Sequence, residues 1–220
     1  MLATLHLYED TMAGDGALES ALPPMPRMIF VVHGTASVEG HELRDGEAWF
    51  GEGALAPAPG KAGVTYWRFE LASSSSAGGA ARGQGVVSHE KLSVPLDGLR
   101  RGDLLMRGDS VAFPPGGCAY LHTHQGPGIR CLIEGGIRID THGRSTSYGP
   151  GGAWFESGPE PVFAQAADRP TRFIRVMILP RTLIGKSSIS YVNEADKAKP
   201  RSQSYQIFVD APITLAAAQA

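Results

Sequence analysis

Three short blocks of this 220-residue chain occur twice, in the same order. Arg27-Met-Ile-Phe-Val-Val-His-Gly34 aligns with Gly128-Ile-Arg-Cys-Leu-Ile-Glu-Gly135. Gly46-Glu-Ala-Trp-Phe50 aligns with Gly151-Gly-Ala-Trp-Phe155, and Tyr66-Trp-Arg-Phe-Glu-Leu71 with Phe173-Ile-Arg-Val-Met-Ile178. The offset grows from 101 residues (27 to 128) to 107 (66 to 173). One such match is weak evidence, whereas three in order argue for two copies of one unit.

Each block is a short apolar run bounded by turn residues, so the unit is built of strands. Glycine (28) and proline (16) are spread between such runs, and helical periodicity is scarce. The chain is therefore expected to be all-β, a sandwich or barrel. The small polar stretch Ala72–Gly85 reads as a linker, which places a boundary near residue 85. The first copy then covers 1–85 and the second 86–190, opening on a strand at Ser88-His-Glu-Lys-Leu-Ser-Val-Pro-Leu96. Residues 191–220 form an extension with one short helix around Asn193–Lys199, stopped before Pro200. A last strand, Ser204-Tyr-Gln-Ile-Phe-Val-Asp210, is left to pair with the barrels or with another subunit.

Net charge is −2, with no lysine or arginine block, so no nucleic-acid partner is expected. No apolar run approaches the roughly 20 residues that span a bilayer, and the N-terminus lacks a basic start. No membrane partner and a cytoplasmic location are expected. Cys118 and Cys131 have no zinc-ribbon spacing, and no disulfide is expected between them.

The chemistry sits in the second copy, in Gly116-Gly-Cys-Ala-Tyr-Leu-His122-Thr-His124. Residues two apart on a strand share a face, so His122 and His124 project together, a start for a metal site. The same parity places Cys118 and Tyr120 beside them. In the first copy the histidine positions fall at Ala21 and Pro23, so that copy is expected to be structural.

This stretch resembles the first signature motif of the cupin superfamily: Gly, five residues, His-x-His, three or four residues, Glu, six residues, Gly. Gly116, His122, His124 and Gly135 match it. The resemblance implies a bicupin: two tandem double-stranded β-helix (jelly-roll) barrels, the first degenerate. It implies His122 and His124 as ligands of a divalent metal (iron, manganese, zinc or nickel), and a homodimer. The family's glutamate would fall at Gly128 or Ile129, and its second-motif histidine near Pro161, so both are missing. Gln125 and Glu156 are the nearest groups in sequence to complete a 2-His-1-carboxylate set.

Arg130, on an inward-facing position, needs a carboxylate partner. Glu134, Glu156 and a bound organic acid are the alternatives. The leading expectation is thus a metal-dependent enzyme acting on a small, carboxylated metabolite, of oxygenase, lyase, isomerase or decarboxylase type. Arg130 would orient the substrate, and Tyr120 or Glu156 would move a proton. The other readings are a non-catalytic module that binds a small molecule or a metal, and a purely structural protein. Trp49 and Trp154, and likewise Arg68 and Arg175, recur in both copies and read as packing residues.

Overall fold

The structure, a computed structural model, describes residues 3–73, 78–97, 99 and 103–215. The middle of the serine-rich linker, residues 74–77, lies outside the described residues. The chain divides into two compact units, Met1–Arg101 with Ile213–Ala220, and Gly102–Pro212. It is all-β, with three antiparallel sheets among the described residues.

Unit 1 carries β1 (Ala3–Leu18), β2 (Arg27–Val38), β3 (His41–Arg44), β4 (Ala48–Gly51), β5 (Ala58–Ala72) and β6 (Gly83–Leu96). They form one sheet in the order β3-β2-β5-β1-β6, with β4 also paired to β2. Ile29, Val31, Val38, Val64 and Tyr66 make its core, with Met12 and Leu55.

Unit 2 carries β7 (Leu104–Phe113), β8 (Cys118–His124), β9 (Gly128–Glu134), β10 (Ile137–Thr141), β11 (Arg144–Tyr148), β12 (Ala153–Glu156), β13 (Val162–Ala166), β14 (Thr171–Pro180), β15 (Ile189–Tyr191) and β16 (Ser204–Ile213). One sheet runs β12-β9-β14-β7-β16 and the other β11-β10-β13-β8-β15. Val111, Phe113, Leu132, Trp154 and Phe173 from the first sheet pack with Ala119, Ile137, Ile139, Val162 and Ala164 from the second. Two sheets with facing apolar sides bury one core, the sandwich arrangement. A short α-helix, α1 (Glu194–Lys197), precedes β16.

The repeat read from the sequence recurs as strand register. In unit 1 Trp49 pairs with Ile29, Ile29 with Arg68, and Arg68 with Tyr8. In unit 2 Trp154 pairs with Arg130, Arg130 with Arg175, and Arg175 with Asp109. The strand orders β4-β2-β5-β1-β6 and β12-β9-β14-β7-β16 correspond one for one. Gly34, inside β2, and Gly135, just after β9, hold equivalent repeat positions with φ of 87° and 85°, where a Cβ would lie 2.3–2.4 Å from a backbone oxygen. Only glycine meets both conditions without strain.

This correspondence bears on two expectations, the boundary and the last strand. The segment expected to open the second copy belongs to β6, which pairs with β1 from Ala3↔Leu96 to Leu18↔Gly83. It closes the first sheet, as β16 closes the equivalent sheet of unit 2, so the compact unit runs past residue 85. The C-terminal strand, in turn, pairs with β7 of its own unit. Unit 1 also differs from a barrel of two sheets. Its β2 and β5 run unbroken through lengths that unit 2 divides into β9 and β10, and into β13 and β14. Where unit 2 has β8, unit 1 has, among the described residues, only an isolated bridge, Leu22↔Leu55. The missing strand is the one that bears the histidines.

Candidate metal centre

β8 brings two histidines to the core, but not with the company expected from parity. Val162 pairs with His122 and Ala164 with Ala119, so two steps along β13 meet three along β8. The extra residue is a β-bulge, and past a bulge every side chain changes face. Ala119, His122 and His124 are therefore buried, whereas Cys118 and Tyr120 are only partly so. Tyr120 does not line the cavity beside the histidines, and its ring lies under Lys199 Nζ instead, 4.5 Å from the ring centroid. The structure thus places Tyr120 apart from the histidines that its expected proton-moving role would serve. Its contribution is the backbone carbonyl, 2.7 Å from His122 Nδ1. Gln125 is exposed and takes no part.

The facing sheet supplies the carboxylate. Glu156 on β12 stands directly opposite Gly128 on β9. Opposed residues of an antiparallel pair project on the same side. A glutamate from the neighbouring strand thus stands beside position 128, which with 129 is where the cupin resemblance places the family's glutamate. Gly128 cannot carry it, because a Cβ there would lie 2.4 Å from the Val176 carbonyl oxygen.

One ligand-capable atom each of His122, His124 and Glu156 fall within 4.8 Å of one another, and all three residues are buried. The atoms not needed for ligation are occupied. His122 Nδ1 faces the Tyr120 carbonyl, and His124 Nδ1 lies 3.4 Å from Ser188 Oγ. Glu156 Oε1 accepts a 2.9 Å hydrogen bond from the Trp154 indole. This leaves Glu156 Oε2 3.7 Å from His124 Nε2. Ligands about 2.1 Å from a tetrahedral ion stand about 3.4 Å apart, so small movements complete such a set. Anchoring of each ligand through its second polar atom is what orients a metal site.

The same oxygen has a protein cation beside it. Arg130 Nη2 lies 2.7 Å from Glu156 Oε2, out of line for a hydrogen bond, and neither atom has a hydrogen-bond partner among the described residues. Arg130 Nη1 donates to the Gly128 carbonyl at 2.6 Å. Of the alternatives open from the sequence, Glu156 is thus the partner, while Glu134 is exposed and pairs with Arg172. Arg175 makes a two-pronged pair with Asp109 at 2.9 and 2.7 Å.

Burial pushes the Arg130 guanidinium down to about 10, with Glu156 acting against the shift, so it stays charged near neutral pH. Burial also lowers His122, against the pull of Glu156. His124 falls well below the usual imidazole range through burial, then through the charges of Arg175 and Arg130 and its neighbour His122. Both rings are neutral, the form that binds metal, and the 3.7 Å approach of His124 to Glu156 is not an ion pair.

The buried set therefore balances: two guanidiniums (Arg130, Arg175), two carboxylates (Glu156, Asp109) and two neutral imidazoles. Between them is a cavity of about 20 Å³, the size for one water or ion. Sequence reasoning missed Trp154 and Ser188 as supports. Trp154 looked like packing because Trp49 repeats it, yet its indole is what orients Glu156. No local pattern around Ser188 marks it.

No protein-family model matches the sequence, and no curated protein matches it. Solved structures do match. Oxalate decarboxylase of Bacillus subtilis, described with Mn(II) centres, is 10% identical over 89% of this chain and 73% of its own, with a TM-score of 0.63. The formate complex of Lactobacillus farciminis oxalate decarboxylase is 13% identical over 89% and 82%, with a TM-score of 0.62. The 11S allergen of Cocos nucifera is 10% identical over 89% and 85%, also at 0.62. Likeness at such low identity concerns the fold alone, and one fold hosts many functions. This chain has the cupin fold, with a buried His/His/Glu cluster able to hold a metal ion.

Proposed function

We propose that the chain is a metal-dependent cupin whose second unit binds one divalent ion through His122, His124 and Glu156 and acts on a small carboxylated metabolite. The observation that carries this is the convergence of three buried ligand atoms within 4.8 Å, each residue anchored by its other polar atom. A His₂-carboxylate set suits iron, manganese or zinc, with nickel also served by imidazole, and leaves positions open for a ligand. A bound ion would supply Lewis-acid or oxygen-binding chemistry to an oxygenase, lyase, isomerase or decarboxylase reaction.

The protein groups around it favour an anionic ligand. A divalent ion adds two positive charges to a buried set that is already balanced. Buried charge without a counter-charge is costly, so the ion and a carboxylate entering together are favoured over the ion alone. In this reading Arg130 holds Glu156 in place and does not clamp the substrate. The organisation is a bicupin, one unit equipped and one stripped, supported by the shared strand register. Dimerisation and a cytoplasmic location rest on the resemblance and on the composition. Among the described residues no helix is long and apolar enough to cross a membrane.

A second reading is a metal-free ligand-binding or structural protein. It is favoured by Arg130 Nη2, which stands 2.7 Å from Glu156 Oε2 and supplies a positive charge where an ion would. Elemental analysis separates the two. Untagged protein is compared with His122→Ala/His124→Ala and with Glu156→Gln. Near-stoichiometric metal in the parent, lost in the double variant and weakened in Glu156→Gln, is expected. No metal in the parent, even after incubation with manganese, iron, zinc or nickel, establishes the second reading.

A further inference from the structure

His124 borders two spaces. One is the cavity of about 20 Å³ among the candidate ligands, and the other is a larger cavity of about 230 Å³ that shares His124, Arg175, Ile189 and Tyr205 with it. Cations dominate the larger wall: Arg107, Arg175, Lys186 and Arg201 line it, with Asp109 as the one carboxylate. Two of the four are already matched. Arg175 is held by Asp109, and Arg107 by Asp210 through Nε at 2.9 Å and Nη2 at 3.1 Å. Lys186 and Arg201 are exposed and have no carboxylate partner among the described residues. The Arg201 guanidinium lies 5.8 Å from the centroid of the Tyr191 ring, which leaves its charge unbalanced.

Lys186 sits on a segment held from below. Arg107 donates to the carbonyls of Lys186 (2.7 Å) and Leu183 (2.6 Å), and Asp210 accepts from the Gly185 amide at 2.7 Å. Two residues on, Ser188 reaches His124. A buried arginine paired with the half-buried Asp210 thus fixes the backbone of the loop that joins Lys186 to the candidate ligand. Fixed donors bind an anion with less ordering cost than mobile ones.

We propose that this cavity seats a small dianion and that Lys186 and Arg201 select for its second negative charge. This deepens the reading above and rests on it only for the identity of the centre that the ligand approaches. The shared chemistry of the ligand is two negative charges within the span of the cavity, met by a dicarboxylate or by inorganic phosphate.

The test is calorimetric titration at low ionic strength with succinate, inorganic phosphate and acetate. It uses the parent, Lys186→Gln/Arg201→Gln, and His122→Ala/His124→Ala, with metal content measured on each. The parent is expected to bind succinate or phosphate at least tenfold more tightly than acetate. The Lys186→Gln/Arg201→Gln protein should lose about tenfold of that affinity, the scale of two exposed charges. Its metal content and thermal midpoint without ligand should be unchanged. Whichever of succinate and phosphate binds more tightly names the ligand's source. Equal binding of acetate, or dianion binding untouched in Lys186→Gln/Arg201→Gln, overturns the proposal. Dianion binding by a protein that takes up no metal leaves this proposal standing and defeats the metal reading alone.

Discussion

Replacing Arg130 by methionine removes the one cation beside Glu156 Oε2 while roughly keeping the volume of the side chain. Arg130 is 1% exposed and Glu156 7%, and their polar atoms stand 2.7 Å apart. Removing one partner of such a pair costs about 3–5 kcal/mol, because a charge remains buried alone. The lost bond from Nη1 to the Gly128 carbonyl adds about 1 kcal/mol. Against a total stability of about 5–15 kcal/mol this is readily measured by urea denaturation at pH 7 in EDTA. A divalent ion can relieve this cost. With Arg130 gone the carboxylate is an uncontested ligand, and manganese or zinc at a hundred times its dissociation constant should restore about 2.7 kcal/mol. The parent should gain less, because its guanidinium competes for the same oxygen. Arg130→Met/Glu156→Gln, which removes both charges, should recover most of the loss without metal. The reasoning is refuted if the single variant loses under 1 kcal/mol, or if metal shifts parent and variant equally.

Two further outcomes follow from the same geometry. His122 and His124 titrate below the usual imidazole range in the folded state and near 6.5 in the unfolded chain. Below about pH 6.5 the unfolded chain therefore binds more protons, and metal-free protein should lose up to about 1.4 kcal/mol per pH unit for each ring while that ring stays neutral in the folded protein. Denaturation of the parent and His122→Ala/His124→Ala between pH 7.5 and 5 checks this, and parallel pH profiles would show that the rings are not the cause. Gly128→Glu, which restores the family's glutamate in sequence, should destabilise by at least about 1–3 kcal/mol and add no metal, because its Cβ meets the Val176 carbonyl at 2.4 Å. A stable variant with raised metal affinity would contradict the assignment of that ligand position to Glu156.

Much of the fold was legible because it is repeated. Trp49 and Trp154, or Arg68 and Arg175, align in sequence since they occupy the same pair positions in equivalent sheets. The unit limits were less legible. The repeat marks where blocks correspond, but β6 and β16 correspond in pairing and share no visible sequence. Tyr120 illustrates a second limit. Alternation places it with His122, and one inserted residue between Ala119 and His122 reverses that, a local event with no signature in composition. Glu156 illustrates a third. The motif names a position, whereas chemistry needs a place, and a neighbour directly across the ladder fills the same place from 28 residues away (128 to 156).

The two units also show how one scaffold handles buried charge in two ways. In unit 1, Arg27 donates to Glu70 at 2.6 Å, Arg68 lies 2.6 Å from both Glu70 and Asp10, and all four side chains are fully buried. Two arginines and two carboxylates again balance, as in unit 2. The positions differ, however. Arg27 and Glu70 stand where unit 2 has Gly128 and Met177, so in unit 1 the counter-charges are neighbours on β2 and β5 and close on each other. In unit 2 that pair of positions is uncharged, and the second arginine, Arg130, reaches sideways to Glu156 on the sheet-edge strand β12. That displacement turns the carboxylate toward β8, the strand unit 1 lacks, and leaves a gap of about 20 Å³ facing two neutral imidazoles. A buried ion pair is weak evidence of stabilisation in either unit, since apolar residues could replace it. What unit 2 gains over unit 1 is position: its glutamate is held by Trp154 and a single guanidinium, in a place where an exchangeable cation can compete for it.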